Sequence, residues 1–377
     1  MAVTRLGIIG CGNIADAYLK GASRSSLVEV KGVADLRHEA AVARAGTYGV
    51  EAMSIDGMLA DPEISIIVNI TVPLAHADVS RSILEAGKHV YSEKPLAADF
   101  EAGRSVVELA SRHGLRIGCA PDTFLGGGHQ AARRVIDEGR IGKVVSGAAC
   151  FTSHGMEMWH PNPEFFFKRG GGPILDMGPY YITQLVNLLG PVRRVTAQTS
   201  KAFDVRTVTS EPLRGTKIPV DVQTTVNGVL EFVNGANIPI TTSWDIWKTE
   251  RKPIEIYGET GSMLVPDPNF FGGDVLVSKE GGDWQPVDIG DHPFCKPNRE
   301  LRQGKMAADY RMIGLIDMAC AISAGRTHRA SGDLALHVLE VMTAFDRSSA
   351  EGRHIEMTTT CEQPQPVPLG EDEEVFK

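Results

Sequence analysis

The segment Gly10-Cys11-Gly12-Asn13-Ile14-Ala15 restricts the fold of this 377-residue chain more than any other. It follows an apolar run at residues 6–9, which predicts a buried strand, and it opens a helical pattern that ends near Ala22. A glycine turn between a buried strand and a helix is typical of dinucleotide-binding folds, because bare backbone at a helix N-terminus favours a pyrophosphate. The segment therefore predicts the first unit of such a fold.

The first third of the chain alternates short apolar runs with amphipathic stretches. Asp99 is placed to cap a helix at residues 100–113, and Gly114 is placed to end it. Strands buried on both faces that alternate with helices form parallel sheets. We therefore predict a doubly wound Rossmann domain over residues 1–122. Its other predicted elements are strands at residues 28–34, 64–70, 89–91 and 116–119 and helices at 37–48 and 75–86.

After about Pro121, runs typical of strands are joined by turn signals. Asn227-Gly228 and Asn234-Gly235 flank the run at residues 229–232, which is a strong hairpin signal. We expect residues 123–377 to form an α+β domain with a large, open, mainly antiparallel sheet and closing helices at about 307–324 and 333–349. Trp244 and Trp247 are expected in the core or an interface, and residues 363–374 are expected to be a loose tail.

Composition narrows the classes of partner. The formal net charge is −9, and no run of lysine and arginine predicts a nucleic-acid site. The six cysteines form no C-x-x-C pair, which favours free thiols in the cytoplasm. We identify no signal peptide and no apolar run long enough to cross a bilayer. These features predict a cytoplasmic protein that binds neither nucleic acid nor membrane.

The glycine segment and the second strand predict the cofactor. Gly10 permits the tight turn, and Gly12 allows a pyrophosphate to approach the backbone. Asn13 and Ile14 complete the turn where the helix opens. Asp35 ends the second strand, where its carboxylate accepts hydrogen bonds from ribose hydroxyls and repels a 2′-phosphate. The pattern predicts NAD, and Arg37 nearby leaves some room for NADP.

Two short segments follow strands on the same edge of the predicted sheet. Thr71-Val72-Pro73 follows the strand at residues 64–70, and Glu93-Lys94-Pro95 follows the one at 89–91. Loops at carboxyl ends of parallel strands line the ligand crevice. Thr71 is equally well placed to cap the next helix. Lys94 either stabilises a developing alkoxide or forms a surface pair with a glutamate before a proline turn.

Four segments, taken in order, resemble those of the Gfo/Idh/MocA family of oxidoreductases. The resemblance is dense over residues 4–120 and continues to about residue 355. It implies that Lys94 lies beside the nicotinamide and the substrate, and that Thr71, Pro73, His76 and Glu93 line the cofactor site. The segments are Gly10-x-Gly12-x-x-Ala15, Thr71-x-Pro73-x-x-His76, Ala86-Gly87-Lys88-His89-Val90 and Glu93-Lys94-Pro95-Leu96-Ala97.

A further segment, from Gly170-Gly171-Gly172 to Asp176-x-Gly178-x-Tyr180, is similar to the family's Gly-Gly-Gly … Asp-x-Gly-x-His pattern. Many members use the histidine as catalytic base; Tyr180 stands there, as in some members, and Thr183 stands where an aspartate is common. Residues 179–185 predict a helix start, and a spacing of four puts Asp176 and Tyr180 on one side. We expect Tyr181 to be a packed aromatic.

Residues 152–163 are rich in functional side chains and form a candidate substrate loop. Trp159 offers a face for a sugar ring, and His154, Glu157 and His160 offer hydrogen bonds; the alternative is a loop packed by Trp159. Asp122 is expected to point into the interdomain cleft. The H-x-x-E-x-x-H spacing does not match H-E-x-x-H, so we predict no metal site.

These features predict an NAD-dependent oxidoreductase that transfers hydride between nicotinamide and a secondary hydroxyl of a sugar, glycoside or polyol, or the corresponding keto-sugar. The resemblance also implies a homodimer or homotetramer paired through the open sheet. Two alternatives stay open: an NAD-dependent glycoside hydrolase with transient sugar oxidation, and a non-catalytic regulatory relative that senses NAD. The predicted substrate-binding residues are Lys94, Asp122, His154, Trp159, His160, Asp176 and Tyr180.

Overall fold

A computed structural model describes residues 3–301 and 304–377. The N-terminal part contains a six-stranded parallel sheet in the order β3-β2-β1-β4-β5-β6. The strands are β1 (Thr4–Ile9), β2 (Val28–Ala34), β3 (Glu51–Ala52), β4 (Ile66–Asn69), β5 (His89–Ser92) and β6 (Ile117–Cys119). The helices are α1 (Ala15–Ala22), α2 (His38–Tyr48), α3 (Ile55–Ala60), α4 (His76–Glu85) and α5 (Phe100–Arg112). The predicted Rossmann domain is confirmed.

Local chemistry explains why these elements form where they do. Leu6 and Ile8 of β1 are fully buried, as expected for a central strand covered on both faces. The Asp99 carboxylate accepts a hydrogen bond from the amide of Ala102, which confirms the predicted cap of α5. β3 and α3 were not predicted, because β3 has two residues and α3 has six.

The second part contains a nine-stranded sheet in the order β16-β15-β14-β13-β7-β12-β11-β8-β19. β7 and β12 pair in parallel, and the other neighbours pair antiparallel, so the predicted large, mainly antiparallel sheet is confirmed. Two small pairs, β9 with β10 and β17 with β18, lie outside it. The strands are β7 (Val144–Thr152), β8 (Val192–Ser200), β9 (Val205–Thr207), β10 (Lys217–Pro219), β11 (Thr225–Phe232), β12 (Asn237–Ser243), β13 (Ile254–Gly258), β14 (Gly261–Val265), β15 (Leu276–Lys279), β16 (Gln285–Pro286), β17 (Arg299–Glu300), β18 (Met306–Ala307) and β19 (Ile355–Glu356).

Four helices accompany this sheet, and two of them cover one of its faces. α7 packs on β11 and β12, and α9 packs on β8. α9 also lies against α5 and β6, so part of the C-terminal segment rests on the Rossmann sheet. A domain boundary at residue 122 stays a prediction. The helices are α6 (Gly127–Asp137), α7 (Pro173–Leu189), α8 (Ile313–Ala324) and α9 (Gly332–Glu351).

One of the two predicted hairpin turns is wrong. Residues 233–236 do connect β11 to β12, but Asn227 and Gly228 lie inside β11. A side chain at Gly228 would place its Cβ 2.4 Å from the ring of Phe345 in α9. The glycine is therefore needed for the close approach of a helix, a role that local sequence does not separate from a turn.

The C-terminal tail is not loose, which corrects the prediction for residues 363–374. The amide of Val367 donates to Gln130 Oε1 at 2.7 Å, and Ser25 Oγ donates to Glu373 Oε2 at 2.6 Å. Phe376 is buried and stacks on Phe294 with 5.5 Å between ring centroids. Acidic and apolar groups that resembled a solvated end thus find partners in both parts of the chain.

Replacing Phe376 by alanine should lower the free energy of unfolding by about 3 kcal/mol, because the change removes a buried aromatic ring. Leu369 in the same tail is exposed, so Leu369→Ala should cost less than about 1 kcal/mol. Urea unfolding of the two variants measures the difference. Equal, small losses for both would show that the tail is not packed as described.

Two further observations concern membrane spans and cysteine pairing. None of the helices in the ranges 3–301 and 304–377 is both long and apolar enough to cross a membrane. All six cysteines carry free thiols, and five of them are buried. The cysteine pattern predicted from sequence is therefore confirmed.

Candidate active site

The glycine loop between β1 and α1 has the shape that a dinucleotide needs. Gly10 has a φ of +111°, and a side chain there would place its Cβ 2.6 Å from the carbonyl oxygen of Ile70. A side chain added at Gly12 would meet no atom within 4 Å, so space is open above the backbone. Ile14 at the start of α1 supplies no side-chain cap, which leaves the helix N-terminus available to an anion.

Two side chains hold this loop. Asp35 Oδ2 accepts the amide of Cys11 at 2.8 Å, and Oδ1 accepts the amide of Arg37 at 2.9 Å. Each oxygen keeps a second lone pair for a ribose hydroxyl. Arg44 of α2 donates to the carbonyl oxygens of Cys11 and Gly12 at 3.3 and 3.2 Å. The loop and Asp35 therefore fit a bound NAD.

The loops after β4 and β5 are joined by His76. Its Nδ1 lies 2.6 Å from the carbonyl oxygen of Pro95, and its Nε2 lies 3.1 Å from that of Thr71. The side chain is buried, and burial lowers its pKa. Thr71 Oγ1 donates to Asn69 Oδ1 at 2.7 Å, so it does not cap the next helix. His76 supports the crevice from within rather than facing it, whereas Pro73 is partly exposed.

Lys94 lies at the carboxyl edge of β5 and contacts the second part of the chain. Its Nζ donates to both the carboxylate Oδ1 and the carbonyl oxygen of Asp176, each at 2.8 Å. The side chains are 16% and 20% exposed, so the pair is screened from bulk water but reachable. The interpretation of Lys94 as a partner of Glu93 on the surface is wrong, because its side chain crosses to α7.

Tyr180 completes this group. α7 begins at Pro173 rather than near Pro179, and the helix puts Asp176 and Tyr180 on one face, as their spacing predicted. Lys94 Nζ lies 5.2 Å from the centroid of the Tyr180 ring. Burial disfavours the Lys94 ammonium, but the charges of Asp176 and Tyr180 outweigh it and raise the pKa of Lys94 above its usual value.

The neighbouring tyrosine has a different environment. Tyr181 packs against Phe151, with 6.1 Å between ring centroids, and its hydroxyl donates to Asp267 Oδ1 at 3.3 Å. Tyr181 is therefore the packed aromatic that the sequence predicted, and Tyr180 is the one beside Lys94.

Glu93 points away from Lys94 into the Rossmann domain. Its Oε1 accepts the hydroxyl of Tyr18 at 2.9 Å, and its Oε2 accepts the backbone amide of Lys94 at 2.8 Å. Arg311, from the segment before α8, lies 3.4 Å from Oε1. The carboxylate therefore shapes the Glu93-Lys94-Pro95 turn from behind.

Asp122 does not face the interdomain cleft, which corrects the prediction that it binds substrate. Its side chain is buried, and Oδ2 accepts the amides of Met312 and Gly314 at 3.0 and 3.1 Å. Burial raises the pKa of Asp122 to about 6. The carboxylate anchors the start of α8, a role that depends on a contact 190 residues away along the chain.

Within the candidate substrate loop, His154 is held by aromatic neighbours. Its ring stacks on Trp247 with 3.4 Å between centroids, and Phe203 approaches it edge-on. Trp247 follows β12 and is 72% exposed, so it does not lie in the core, and its place in an interface stays a prediction. Trp244 is buried, as predicted. The exposed face of Trp247 is available to a ligand or a partner.

Glu157 is committed to a buried ion cluster. Arg206 of β9 contacts Glu157 Oε1 at 2.9 Å and also pairs with Asp245. Glu157 is therefore not free to bind a sugar hydroxyl as predicted. Among the residues that the structure describes, no three or more histidine, cysteine, aspartate or glutamate side chains group as a metal site would require.

Trp159 and His160 remain accessible to different extents. Trp159 is exposed and lies edge-to-face with His160 at 5.5 Å between ring centroids. His160 Nδ1 accepts the amide of Asn162, which leaves Nε2 to other partners. The loop thus combines packing with exposure, and its contact with substrate stays a prediction.

The chain is similar to known proteins over most of its length. A model of an oxidoreductase family with an NAD-binding Rossmann fold matches residues 4–120, and the GFO/IDH/MocA C-terminal domain matches residues 129–264. Inositol 2-dehydrogenase of Rhizobium meliloti (strain 1021) is 32% identical over 353 residues, which cover 93% of this chain and 98% of that protein. The chain belongs to the Gfo/Idh/MocA oxidoreductase family.

Other proteins match this member of the Gfo/Idh/MocA family over shorter or more divergent alignments. D-xylose dehydrogenase of Paenarthrobacter nicotinovorans is 25% identical over 305 residues, covering 74% of this chain and 78% of that protein. A levoglucosan dehydrogenase in complex with NADH and L-sorbose has a TM-score of 0.79 at 21% identity, covering 94% of this chain and 99% of that one. That structure shares the fold. The family match over residues 4–120 makes this chain an NAD-binding oxidoreductase.

Three arginines that shape the candidate site were not predicted from the sequence. Arg44, Arg206 and Arg311 contact groups 33, 49 and 218 residues away along the chain. No local motif surrounds them, so spacing gave no signal. A buried carboxylate requires a cation or several donors, but the sequence does not show that Glu93 and Glu157 are buried.

Proposed function

We propose that this chain transfers hydride between NAD and a secondary hydroxyl of a sugar, glycoside or polyol, or the corresponding keto-sugar. The observation that carries the proposal is the contact between Lys94 and Asp176 beside Tyr180, at the carboxyl edge of a nucleotide-binding sheet. Alcohol oxidation requires a group that takes the hydroxyl proton and a charge that stabilises the alkoxide. Tyr180 and Lys94 have these properties.

The three residues have separate roles in this proposal. Lys94 is a fixed positive charge, because its raised pKa keeps the ammonium form at neutral and mildly alkaline pH. Tyr180 accepts the proton of the substrate hydroxyl. Asp176 holds Lys94 and orients the substrate. NAD, when bound, accepts the hydride at its nicotinamide ring.

The cofactor is proposed to lie along the carboxyl edge of the parallel sheet. The loop residues Gly10, Gly12, Asn13 and Ile14 surround the pyrophosphate, and Asp35 binds the adenosine ribose. Thr71, Pro73 and Lys94 line the nicotinamide end, with His76 and Glu93 supporting them from within. Residues 1–122 form the NAD-binding unit in this proposal, and residues 123–377 bind the substrate and pair subunits.

The substrate class follows from the relatives and from the loop. Relatives named for inositol and D-xylose support a polyol or a sugar as the substrate. The loop offers one exposed aromatic ring, Trp159, and the imidazole groups of His154 and His160. An aromatic ring beside hydrogen-bonding groups suits a sugar ring, which has apolar faces and polar edges.

The test is the near-ultraviolet absorbance of NADH with purified protein, NAD and a panel of sugars, polyols and glycosides. Steady growth of the signal with one class is the expected result and names the substrate. Release of an aglycone with no accumulation of NADH would favour the hydrolase. Tight NAD binding with no chemistry on any compound would favour a regulator and contradict the proposal.

We further propose that NAD is preferred over NADP, because the Asp35 carboxylate repels a 2′-phosphate. Asp35→Ser should lower the ratio of the NADP to NAD dissociation constants by at least about tenfold. Glu39→Gln, which removes a charge from the exposed start of α2, is the matched control and should leave the ratio unchanged. Fluorescence titration with each nucleotide measures both ratios, and an equal shift in the two variants would reject the role of Asp35.

Assembly and location complete the proposal. α7 and α9 cover one face of the nine-stranded sheet, while Val229 and Tyr257 on its strands are exposed. We infer that two subunits pair through this open sheet, as a homodimer or within a homotetramer. Six free thiols suit the cytoplasm. Light scattering of the purified protein tests the assembly.

A further inference from the structure

Arg311 lies directly behind the Glu93-Lys94-Pro95 turn, although it comes from the far end of the chain. It precedes α8, and its Nη1 lies 3.4 Å from Glu93 Oε1. The side chain is only 14% exposed. A buried guanidinium is expensive unless it neutralises a charge, so its position requires an explanation.

Glu93, the ion-pair partner of Arg311, is hydrogen-bonded to the backbone amide of Lys94. Glu93 Oε2 accepts the amide of Lys94 at 2.8 Å, and Oε1 is shared between the Tyr18 hydroxyl and Arg311. Tyr18 is a neutral donor, so Arg311 is the cation that contacts this carboxylate. Any movement of Glu93 would therefore move the backbone that carries the Lys94 ammonium.

The backbone around Arg311 is fixed as well. Asp122 Oδ2 accepts the amides of Met312 and Gly314, the residues that follow it. Met312 has a φ of +94°, and a side chain at Gly21 of α1 would place its Cβ 2.3 Å from the carbonyl oxygen of Arg311. The segment is thus held against α1 and β6 at a defined position.

We propose that Arg311 is a positioning residue for the reaction. It holds Glu93, and through Glu93 the backbone of Lys94, so that the ammonium stays between Asp176 and Tyr180. It also adds a second positive charge near the Tyr180 phenol. The proposal rests on the proposed function of Lys94 and Tyr180.

Electrostatics support the geometry. The charged groups that interact with Tyr180 include Lys94 from the turn after β5 and Arg311 from the segment before α8. Asp176 lies four residues before Tyr180 on the same helix. Burial alone would lower the pKa of Arg311, but Glu93 and the phenols of Tyr180 and Tyr18 raise it well above its usual value. Removing Arg311 leaves Glu93 uncompensated, and the added negative charge disfavours an ionised Tyr180.

The test compares Arg311→Gln with Arg311→Lys and with a control, Arg326→Gln. Arg326 contacts the buried Asp317 at 2.8 Å, so the control also removes a cation from a buried carboxylate, at the other end of α8. Arg329 also pairs with Asp317, which keeps that carboxylate neutralised. The control should leave turnover and its pH dependence unchanged.

Arg311→Gln is expected to lower kcat by about a hundredfold, since small displacements of a catalytic group cost that much. The pH at which turnover is half-maximal should move up by about one unit. Arg311→Lys keeps the charge and should keep that pH, with a smaller loss of kcat. In a Glu93→Gln background, Arg311→Gln should add little, because the carboxylate that it neutralises is gone.

A readout without substrate separates this inference from the proposed function. The ultraviolet absorbance of tyrosinate is titrated with pH, and the signal of the Tyr180→Phe form is subtracted. The Tyr180 signal should rise at more alkaline pH in Arg311→Gln than in the parent. If the parent oxidises no sugar but this shift is seen, the proposed function fails, while the influence of Arg311 on the Lys94 and Tyr180 pair stands. If the parent oxidises a sugar and no shift is seen, the proposed function stands and the inference about Arg311 fails.

Three outcomes would overturn the inference. The first is an Arg311→Gln protein with the melting temperature, kcat and pH profile of Arg326→Gln. The second is full additivity of Arg311→Gln and Glu93→Gln. The third concerns Arg311→Lys and applies if Arg311→Gln does not fold. Lysine keeps the positive charge but lacks the planar guanidinium of arginine, so an unchanged kcat together with an unchanged pH profile would exclude positioning through Glu93.

Discussion

Lys94→Ala is expected to reduce kcat by about 10²–10³-fold, the typical effect of removing one preorganised donor that stabilises developing negative charge. Lys94 Nζ is fixed by two 2.8 Å hydrogen bonds to Asp176 and lies 5.2 Å from the Tyr180 ring centroid. The dissociation constant for NAD should change by no more than a few-fold, because the glycine loop and Asp35 lie at the other end of the cofactor site.

The raised pKa of Lys94 also predicts how activity depends on pH. Because that pKa is raised, the ammonium persists from neutral to mildly alkaline solution, and the parent should not lose activity there through loss of the Lys94 charge. Lys168→Ala is a suitable control, since Lys168 pairs with Asp221 on a more exposed part of the protein. Steady-state kinetics and NAD titration measure both variants. Unchanged kcat in Lys94→Ala would remove Lys94 from the mechanism.

Tyr180→Phe is expected to lower kcat by about 10²–10⁴-fold, the usual contribution of a positioned general base. The ring that packs beside Lys94 is kept, so the KM for the sugar and the melting temperature should change little.

Tyr181→Phe is the matched control, because it removes a hydroxyl from the next residue of α7. That hydroxyl donates to Asp267, away from Lys94. We expect near-parental kcat with a small loss of stability. If Tyr181→Phe lost turnover and Tyr180→Phe did not, the assignment of the two tyrosines would be reversed.

The Rossmann half could be predicted closely because its signals are local. β2 matches its predicted bounds, and the cap of α5 by Asp99 follows from a polar side chain before a helical pattern. Gly228 and Pro179 misled the prediction for the second half. Gly228 makes room for Phe345, and Pro179 lies inside α7 rather than near its start. Both depend on tertiary packing that a short window does not contain.

The residues of the candidate site fall into the same two groups, those recognised from a local pattern and those whose role depends on distant contacts. Gly12, Lys94 and Tyr180 lie in segments whose pattern is itself the signal. Asp122 and Glu157 have carboxylates that could bind a substrate hydroxyl, but both are held by distant partners. The Asp122 carboxylate accepts the backbone amide of Met312, and Glu157 pairs with the guanidinium of Arg206. A sequence gives the residue type and its neighbours along the chain. Burial and long-range partners decide whether a carboxylate faces a ligand or an internal cation.

The proposed reaction transfers hydrogen directly from substrate carbon to NAD, and isotope labelling follows that hydrogen. The sugar or polyol found in the panel is deuterated at the carbon that carries the reactive hydroxyl, and the NADH formed is analysed by mass spectrometry. One deuterium is expected in each NADH, and the yield of NADH should fall in Lys94→Ala and Tyr180→Phe. NADH that contains no deuterium, or consumption of the sugar with no NADH formed, would contradict the proposed reaction.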